Sequence, residues 1–237
     1  MAGPSTLCVI VPCFNEIEAL PALEAALFQE LQRIGSPFEV VAVDDGSTDG
    51  TAAALRQLAL RRSEVAVLEH PRNLGLGAAV RTGIKACTGD WIAVLDADLT
   101  FHPRQLKGLL EAQRATGADC VSGSPYMEGG RLEVPWGRRL PSLTVNGFYR
   151  LALDSGLTAF TPLFRLYRAA ALKDFPLDSS GFEINTEILA RFLRKGLKVV
   201  EVPVTLTERV HGRSKIRPLR ELARHAVLAL RLLAGRS

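Results

Sequence analysis

Short apolar runs bounded by turn residues alternate along this chain with longer segments of helical period. Leu7 to Val11, Val40 to Val43, Val65 to Leu68, Trp91 to Leu95 and Asp119 to Ser122 read as buried strands. Between them, Leu20 to Leu31, Thr51 to Arg62, Gly77 to Cys87 and Pro103 to Thr116 read as helices, with Asp49 as the N-cap of the second. The alternation predicts an α/β fold with a Rossmann-like, mostly parallel central sheet flanked by helices. In such sheets ligands bind beyond the carboxyl ends of the strands.

The pattern loosens after Ser122. Ser124 to Arg139 reads as a long loop, Leu140 to Leu153 as a helix with Pro141 in its first turn, and Leu163 to Tyr167 as a strand. Glu183 to Lys195 is an amphipathic helix, and Lys198 to Thr207 a strand or strand pair broken at Pro203. A basic loop, Glu208 to Arg217, leads to a final helix from Pro218 to Ala234. There Leu219, Leu222, Ala223, Ala226, Leu230 and Leu233 follow helical spacing, while Arg217, Arg220, Arg224 and Arg231 group on another face. Such a helix suits either an anionic lipid interface or docking on the core with a solvated basic face. No composition shift marks a linker, so a single domain over 1–237 is expected.

The charge of +4 and the arginine-rich second half suit an anionic substrate or a membrane surface. Nucleic acid is set aside, because no basic stripe is interleaved with aromatics and only 6% of residues are aromatic. Cys8, Cys13, Cys87 and Cys120 lack Cys-x-x-Cys spacing and are expected as reduced core residues. The N-terminus has no charged n-region, and Pro12 interrupts the apolar stretch behind it, so neither signal peptide nor anchor is expected. With no apolar run near the roughly 20 residues of a membrane span, the expectation is a cytoplasmic protein, soluble or peripheral to the membrane.

The strand ends carry the candidate chemistry. The first strand runs into Pro12-Cys-Phe-Asn-Glu16, the second into Asp44-Asp-Gly-Ser-Thr-Asp-Gly50 and the fourth into Asp96-Ala97-Asp98. Side chains two apart on a strand point the same way, so Asp96 and Asp98 converge and invite a hard divalent cation, Mg²⁺ or Mn²⁺. A lone Asp-x-Asp is weak evidence, the alternative being a solvated turn. For Asp44 and Asp45, turn chemistry and ligand contact are equally open readings.

Taken in order, Val9-Ile-Val-Pro-Cys-Phe-Asn-Glu16, Val43-Asp-Asp-Gly-Ser-Thr-Asp-Gly-Thr51, Asn73-Leu-Gly-Leu-Gly77, Gly89-Asp-Trp-Ile-Ala-Val-Leu-Asp-Ala-Asp98, Phe164-Arg-Leu-Tyr167, Glu201-Val-Pro203 and Arg209-Val-His-Gly-Arg-Ser-Lys215 resemble the family 2 glycosyltransferases of the GT-A fold, within them the dolichyl- or polyprenyl-phosphate mannose synthase group. The resemblance implies a nucleotide-sugar-binding half at 1–123, an acceptor-binding half at 124–216 and a C-terminal amphipathic helix at 217–237. Pro12, Phe14, Glu16, Val43 and Asp45 would form the nucleoside pocket. Asp96, Ala97 and Asp98 would hold the donor diphosphate through the cation, with Thr100 as a weak third ligand or, on its own chemistry, an N-cap before Pro103. Arg209 and Lys215 would reach the donor phosphates. Gly75 and Gly77 suit a tight helix entry and a close backbone approach to the donor, with a purely structural use an equally open reading.

The chain has no Gln-x-x-Arg-Trp motif of the kind that accompanies sugar acceptors in this family. A phosphate monoester, with a second pKa of about 6, is already nucleophilic at neutral pH and needs no base. The resemblance therefore implies inverting transfer of a hexose to a polyprenyl phosphate at the membrane surface, with Arg138, supported by Arg139 or Arg131, on the acceptor phosphate. GDP-mannose is the favoured donor. UDP-sugars, a soluble acceptor or a nucleotide-binding homologue without turnover are the alternatives, and a membrane-anchoring partner protein is left open. Pro125 and Ala159 depart from the family pattern at positions that face the donor or acceptor.

Overall fold

The computed structural model describes residues 5–134, 136–153, 155–209 and 218–233. Strand β1 (Leu7–Cys13) is apolar along its length because both its faces are covered and both its edges are paired. Its parallel neighbours are β2 (Phe38–Asp44) and β4 (Trp91–Val94). Beyond β2 lies β3 (Val65–Glu69), also parallel. Helices α1 (Leu20–Ile34), α2 (Thr51–Arg61) and α3 (Leu76–Ala86) make the crossovers. After β4, a 3-10 turn over Pro103–Gln105 enters α4 (Leu106–Thr116). Two of these helices stop on glycines that accept the left-handed conformation, α1 at Gly35 and α4 at Gly117.

Strand β5 (Cys120–Ser124) does not pair with β4. Instead β7 (Arg165–Arg168) lies between them, antiparallel to both, and β8 (Val199–Pro203) closes the edge. The seven strands run in the order β3-β2-β1-β4-β7-β5-β8. The expected loop from Ser124 to Arg139 is more structured than its sequence suggests. It contains β6 (Arg131–Glu133), paired in parallel with β9 (Thr205–Thr207), and α5 (Trp136–Ala152) begins before Leu140 and puts Pro141 past its first turn. A three-residue strand is too short to show a period, and its partner is remote in sequence. The apolar stretch at 198–207 does divide at Pro203, β8 joining the main sheet and β9 the small one.

Alternate residues of each strand feed opposite faces. Cys8, Ile10, Val41 and Val43 pack with α3, with α7 (Ile184–Arg194) and with α8 (Pro218–Leu233), whereas Val9, Val11, Val40 and Ala42 pack with α1, α2 and α4. Between β7 and α7 runs the short α6 (Ala169–Lys173). Cys8 and Cys87 form a disulfide, correcting the expectation of reduced thiols. Because α3 returns across β1, residues 79 apart in sequence lie 5.8 Å apart at Cα. Cys13 and Cys120 are free and buried. Arg165 is wholly buried and bridges the second half of the sheet. It donates to Ser122 Oγ and to the carbonyls of Asn185, Ala159 and Phe160 at 2.6–3.2 Å.

On α8 the docked arc is His225, Leu228, Ala229 and Leu232, while Leu222, Ala223, Ala226, Val227 and Leu230 face outward. Four members of the expected apolar stripe are therefore exposed, and the side chains of Leu219 and Leu233 lie outside the described residues. The helix is apolar on two arcs, so periodicity alone could not choose between them. Phe148 and Leu151 of α5 are exposed as well. No described helix is long and apolar enough to cross a membrane.

Candidate active site

The loops after β1 and β2 are stitched together at the carboxyl edge of the sheet. The backbone N–H of Asn15, a residue left-handed at φ 56°, donates to Ser47 Oγ, and its side-chain oxygen accepts from the N–H of Thr48 at 2.7 Å. Thr51 Oγ1 accepts from the N–H of Glu16 at 2.8 Å and donates to Asp49 at 2.6 Å. The N-cap of α2 is thus Gly50, one residue past the expected Asp49, which instead ties Ile17 to the start of the helix. Of the adjacent acids, Asp44 serves its own turn, accepting from the N–H of Ser47. Asp45 is claimed by the segment after β3: the N–H groups of Leu74 and Gly75 and the Nδ1 of His70 lie 2.7–2.9 Å from its carboxylate. His70 carried no signal in the sequence, because its role depends on a contact across the sheet edge.

Asp96 and Asp98 leave the end of β4 into a cavity of about 600 Å³ lined also by Pro12, Phe14, Glu16, Asp45 and Ala97. Leu99 adopts a left-handed φ of 61°, a strained conformation for a branched aliphatic residue. That bend lets the N–H and hydroxyl of Thr100 both donate to Asp98 Oδ1, at 3.0 and 2.8 Å. The N-cap before Pro103 is His102, not Thr100. Arg209 reaches over the carboxylates, with Nη1 3.0 Å from Glu16 and Nη2 2.7 Å from Asp98. Asp96 keeps only an edge open to the cavity, and burial, reinforced by the charge of Asp98, pushes its carboxyl up to about 8.

The opposite wall comes from the segment before α7 and from α8: Gly181, Phe182, Glu221 and Arg224. The sequence did not single these out for the site. The two walls meet where Gly75 and Gly77 press on the carbonyls of Ser180 and Ser179, leaving no room for a Cβ at either glycine. Their close approach is to this protein segment rather than to a ligand. Other expected residues do not converge. Val43 is fully buried in the core, and Arg131 is exposed on β6 and does not line the cavity. Arg138 and Arg139 lie on α5 with side chains outside the described residues, as does Lys215 entirely. Ala159 is buried, and the carboxylate of Glu201 on β8 holds its N–H at 2.9 Å.

Residues 8–175 match the model of glycosyl transferase family 2. The chain belongs to that family. This family 2 glycosyltransferase is 36% identical over 221 residues to a polyprenol monophosphomannose synthase of Mycolicibacterium smegmatis, covering 88% of the chain and 80% of that protein. It is 35% identical over 214 residues to an undecaprenyl-phosphate mannosyltransferase of Micrococcus luteus, covering 87% and 86%. Its fold is shared with glucosyl-3-phosphoglycerate synthase of Mycobacterium tuberculosis, solved with Mn²⁺, UDP and glucosyl-3-phosphoglycerate, at a TM-score of 0.68 and 22% identity over 98% of this chain and 80% of that one. The same enzyme solved with Mg²⁺ and UDP also has a TM-score of 0.68, covering 98% of this chain and 79% of that one at 22% identity. The mostly parallel sheet flanked by helices is that of the GT-A glycosyltransferases.

Proposed function

We propose that this enzyme transfers a hexose, mannose from GDP-mannose in the favoured reading, to a polyprenyl phosphate with inversion at the anomeric carbon. The observation that carries the reading is the convergence of Asp96, Asp98 and Arg209 in one cavity with Pro12, Phe14 and Asp45. The names of the two bacterial relatives supply the acceptor class.

The donor set fits a hard cation: two converging carboxylates, that of Asp96 pushed upward by burial and by the charge of Asp98, both of which a bound cation would offset. Bound there, Mg²⁺ or Mn²⁺ neutralises charge on the departing diphosphate. Asp96 and Asp98 hold it, and Thr100 fixes the rotation of Asp98 rather than serving as a full ligand. Arg209 and Lys215 would serve the donor phosphates. Pro12, Phe14, Glu16 and Asp45 take the nucleoside, Asp45 being oriented from the segment after β3. Arg138 and Arg139 hold the acceptor phosphate, whose oxygen attacks the anomeric carbon as the bond to the diphosphate oxygen breaks. No protein base is required. Residues 1–123 thus serve chiefly the donor and 124–216 the acceptor.

The outward apolar arc of α8, with Phe148 and Leu151 of α5, seats the enzyme on the bilayer that contains its acceptor. Arg231 flanks that arc and suits anionic headgroups. The deciding test offers GDP-mannose, UDP-glucose and UDP-GlcNAc with Mn²⁺ to the full chain on vesicles carrying polyprenyl phosphate. Mannose transfer to the lipid, lost in Asp98→Asn, is expected. Transfer only to a soluble acceptor, or nucleotide binding without turnover, overturns the reading.

A further inference from the structure

The sequence places Arg224 among basic residues of a solvent- or lipid-facing helix, yet the structure turns it inward to line the cavity beside Gly181 and Phe182. Its side chain is 20% exposed and that of Glu221 only 15%. Arg224 Nη1 donates to Glu221 Oε1 at 2.8 Å, and Glu221 Oε2 accepts from the N–H of Phe182 at 3.1 Å. The pair is therefore fixed to two elements at once, α8 and the segment before α7. Among the described residues, Nη2 and Nε of Arg224 have no hydrogen-bond partner, and each oxygen of Glu221 accepts only once. Donors and acceptors with spare capacity among the described residues thus stand side by side on the cavity wall.

We infer that the Glu221–Arg224 pair forms the wall that reads the hydroxyls of the transferred hexose. This rests on the nucleotide-sugar reading above. Charge decides between a hexose and a phosphate. Glu183, buried behind Gly181, accepts from the N–H groups of Ser180 and Gly181 with one oxygen and has no partner at the other. A Cβ on Gly181 would meet both Glu183 Oε2 and Arg224, so the two groups flank the same point of the wall. Glu221 offsets the Arg224 guanidinium, and behind them Glu183 stands against Arg81, which donates to the carbonyl of Ser179, so the wall has no net positive charge to hold a phosphate dianion and suits a neutral polyol. The alternating donors and acceptors match vicinal hydroxyls. The pair lines the same cavity as Asp45, Leu74, Asp96, Asp98 and Arg209, the site proposed for the nucleotide sugar. Both residues lie beyond the matched segment 8–175, so proteins alike across that segment can differ in the sugar they accept.

The test measures, by calorimetry with Mn²⁺, the affinities of GDP, GDP-mannose, GDP-glucose, UDP, UDP-glucose and UDP-mannose for the full-length enzyme, Arg224→Gln and Arg224→Lys. For whichever nucleotide sugar the unsubstituted enzyme prefers, Arg224→Gln should weaken binding by about tenfold or more, as expected for losing hydrogen bonds to a charged group. The matching nucleoside diphosphate should bind within about twofold of normal, since it lacks the hexose. Arg224→Lys should recover part of the loss, and Arg224→Gln should lessen the preference for the favoured sugar over its C2 epimer. Parallel weakening of diphosphate and nucleotide sugar overturns the inference, assigning Arg224 to the diphosphate or to the fold. Unchanged donor affinity and selectivity, with or without a raised acceptor KM, overturns it too while leaving the proposed function standing. An unsubstituted enzyme that binds no nucleotide sugar ends both.

Discussion

On the strand side of the cavity, the carboxylates of Glu16, Asp45 and Asp98 are tied within a mesh of short contacts. Asp45 is held from the segment after β3, Asp98 by Thr100, and Glu16 with Asp98 by Arg209. On the helical side, Glu221 and Arg224 project from a helix whose outer arc faces away from the protein with Leu222, Val227 and Leu230 exposed. Apart from Arg209, the strand side lies within the family match, and the helical side lies beyond it. A mesh anchored in central strands suits chemistry that must not vary, here holding a diphosphate. A single helix can change without disturbing the sheet, which suits the sugar and membrane recognition proposed for it.

The sharpest way to break this comparison is Asp98→Asn. Losing several kcal/mol of leaving-group stabilisation should lower kcat by about a thousandfold or more, measured at saturating donor and acceptor. Stabilisation of the fold by Mn²⁺ with nucleoside diphosphate should vanish with it. A variant that keeps its turnover would remove the metal from the strand side altogether.

Next in size is Arg165→Met. Four buried hydrogen bonds would be lost, only the Phe160 carbonyl keeping a second side-chain donor in Thr186, and an unfolding free energy lower by about 3 kcal/mol or more is expected in urea titration. The site itself should survive below the transition, because Arg165 supports the sheet rather than the cavity.

A double change, Leu222→Ser with Leu230→Ser, addresses the outer arc. Unfolding free energy should move by no more than about 0.5 kcal/mol, as for exposed positions. Partition onto anionic vesicles should fall by about tenfold or more, since burying each leucine contributes up to about 2 kcal/mol.

The smallest effect concerns pH. His225 is buried on α8, its Nδ1 3.3 Å from the Tyr149 hydroxyl. Burial lowers its pKa below the usual 6.5, against the raising influence of Glu183 and Glu221. Protonation is therefore easier in the unfolded chain: the stabilisation is complete above about 6.5 and is lost as pH falls below it. Unfolding titrations between pH 7.5 and pH 5 should show this loss, and His225→Gln should flatten it.

The donor half was legible because its evidence is local. Apolar runs of strand length end in acids and glycines, and each motif lies within a few residues of the strand that aims it. The rest depends on contacts between distant segments. The reversal of β7 leaves no trace in an apolar run, and the pairing of Cys8 with Cys87 follows from the path of α3. Arg165 stands in a recognised motif, yet nothing in its neighbours shows that it is buried. Arg224 was grouped with lipid-facing cations because α8 is apolar on two arcs, and only docking of Leu228 and Leu232 fixes its rotation. Asp44 and Asp45, equivalent as adjacent acids, part company only once the segment after β3 claims the second.

Gly75 and Gly77 meet the carbonyls of Ser180 and Ser179 with no atom to spare. The separation of the two walls is thus gauged by backbone against backbone, and the missing side chains act as its calibre. A methyl group at either position would wedge α3 away from the segment before α7 and widen the slot between them. A bulkier donor could be admitted in this way without altering any residue that touches it.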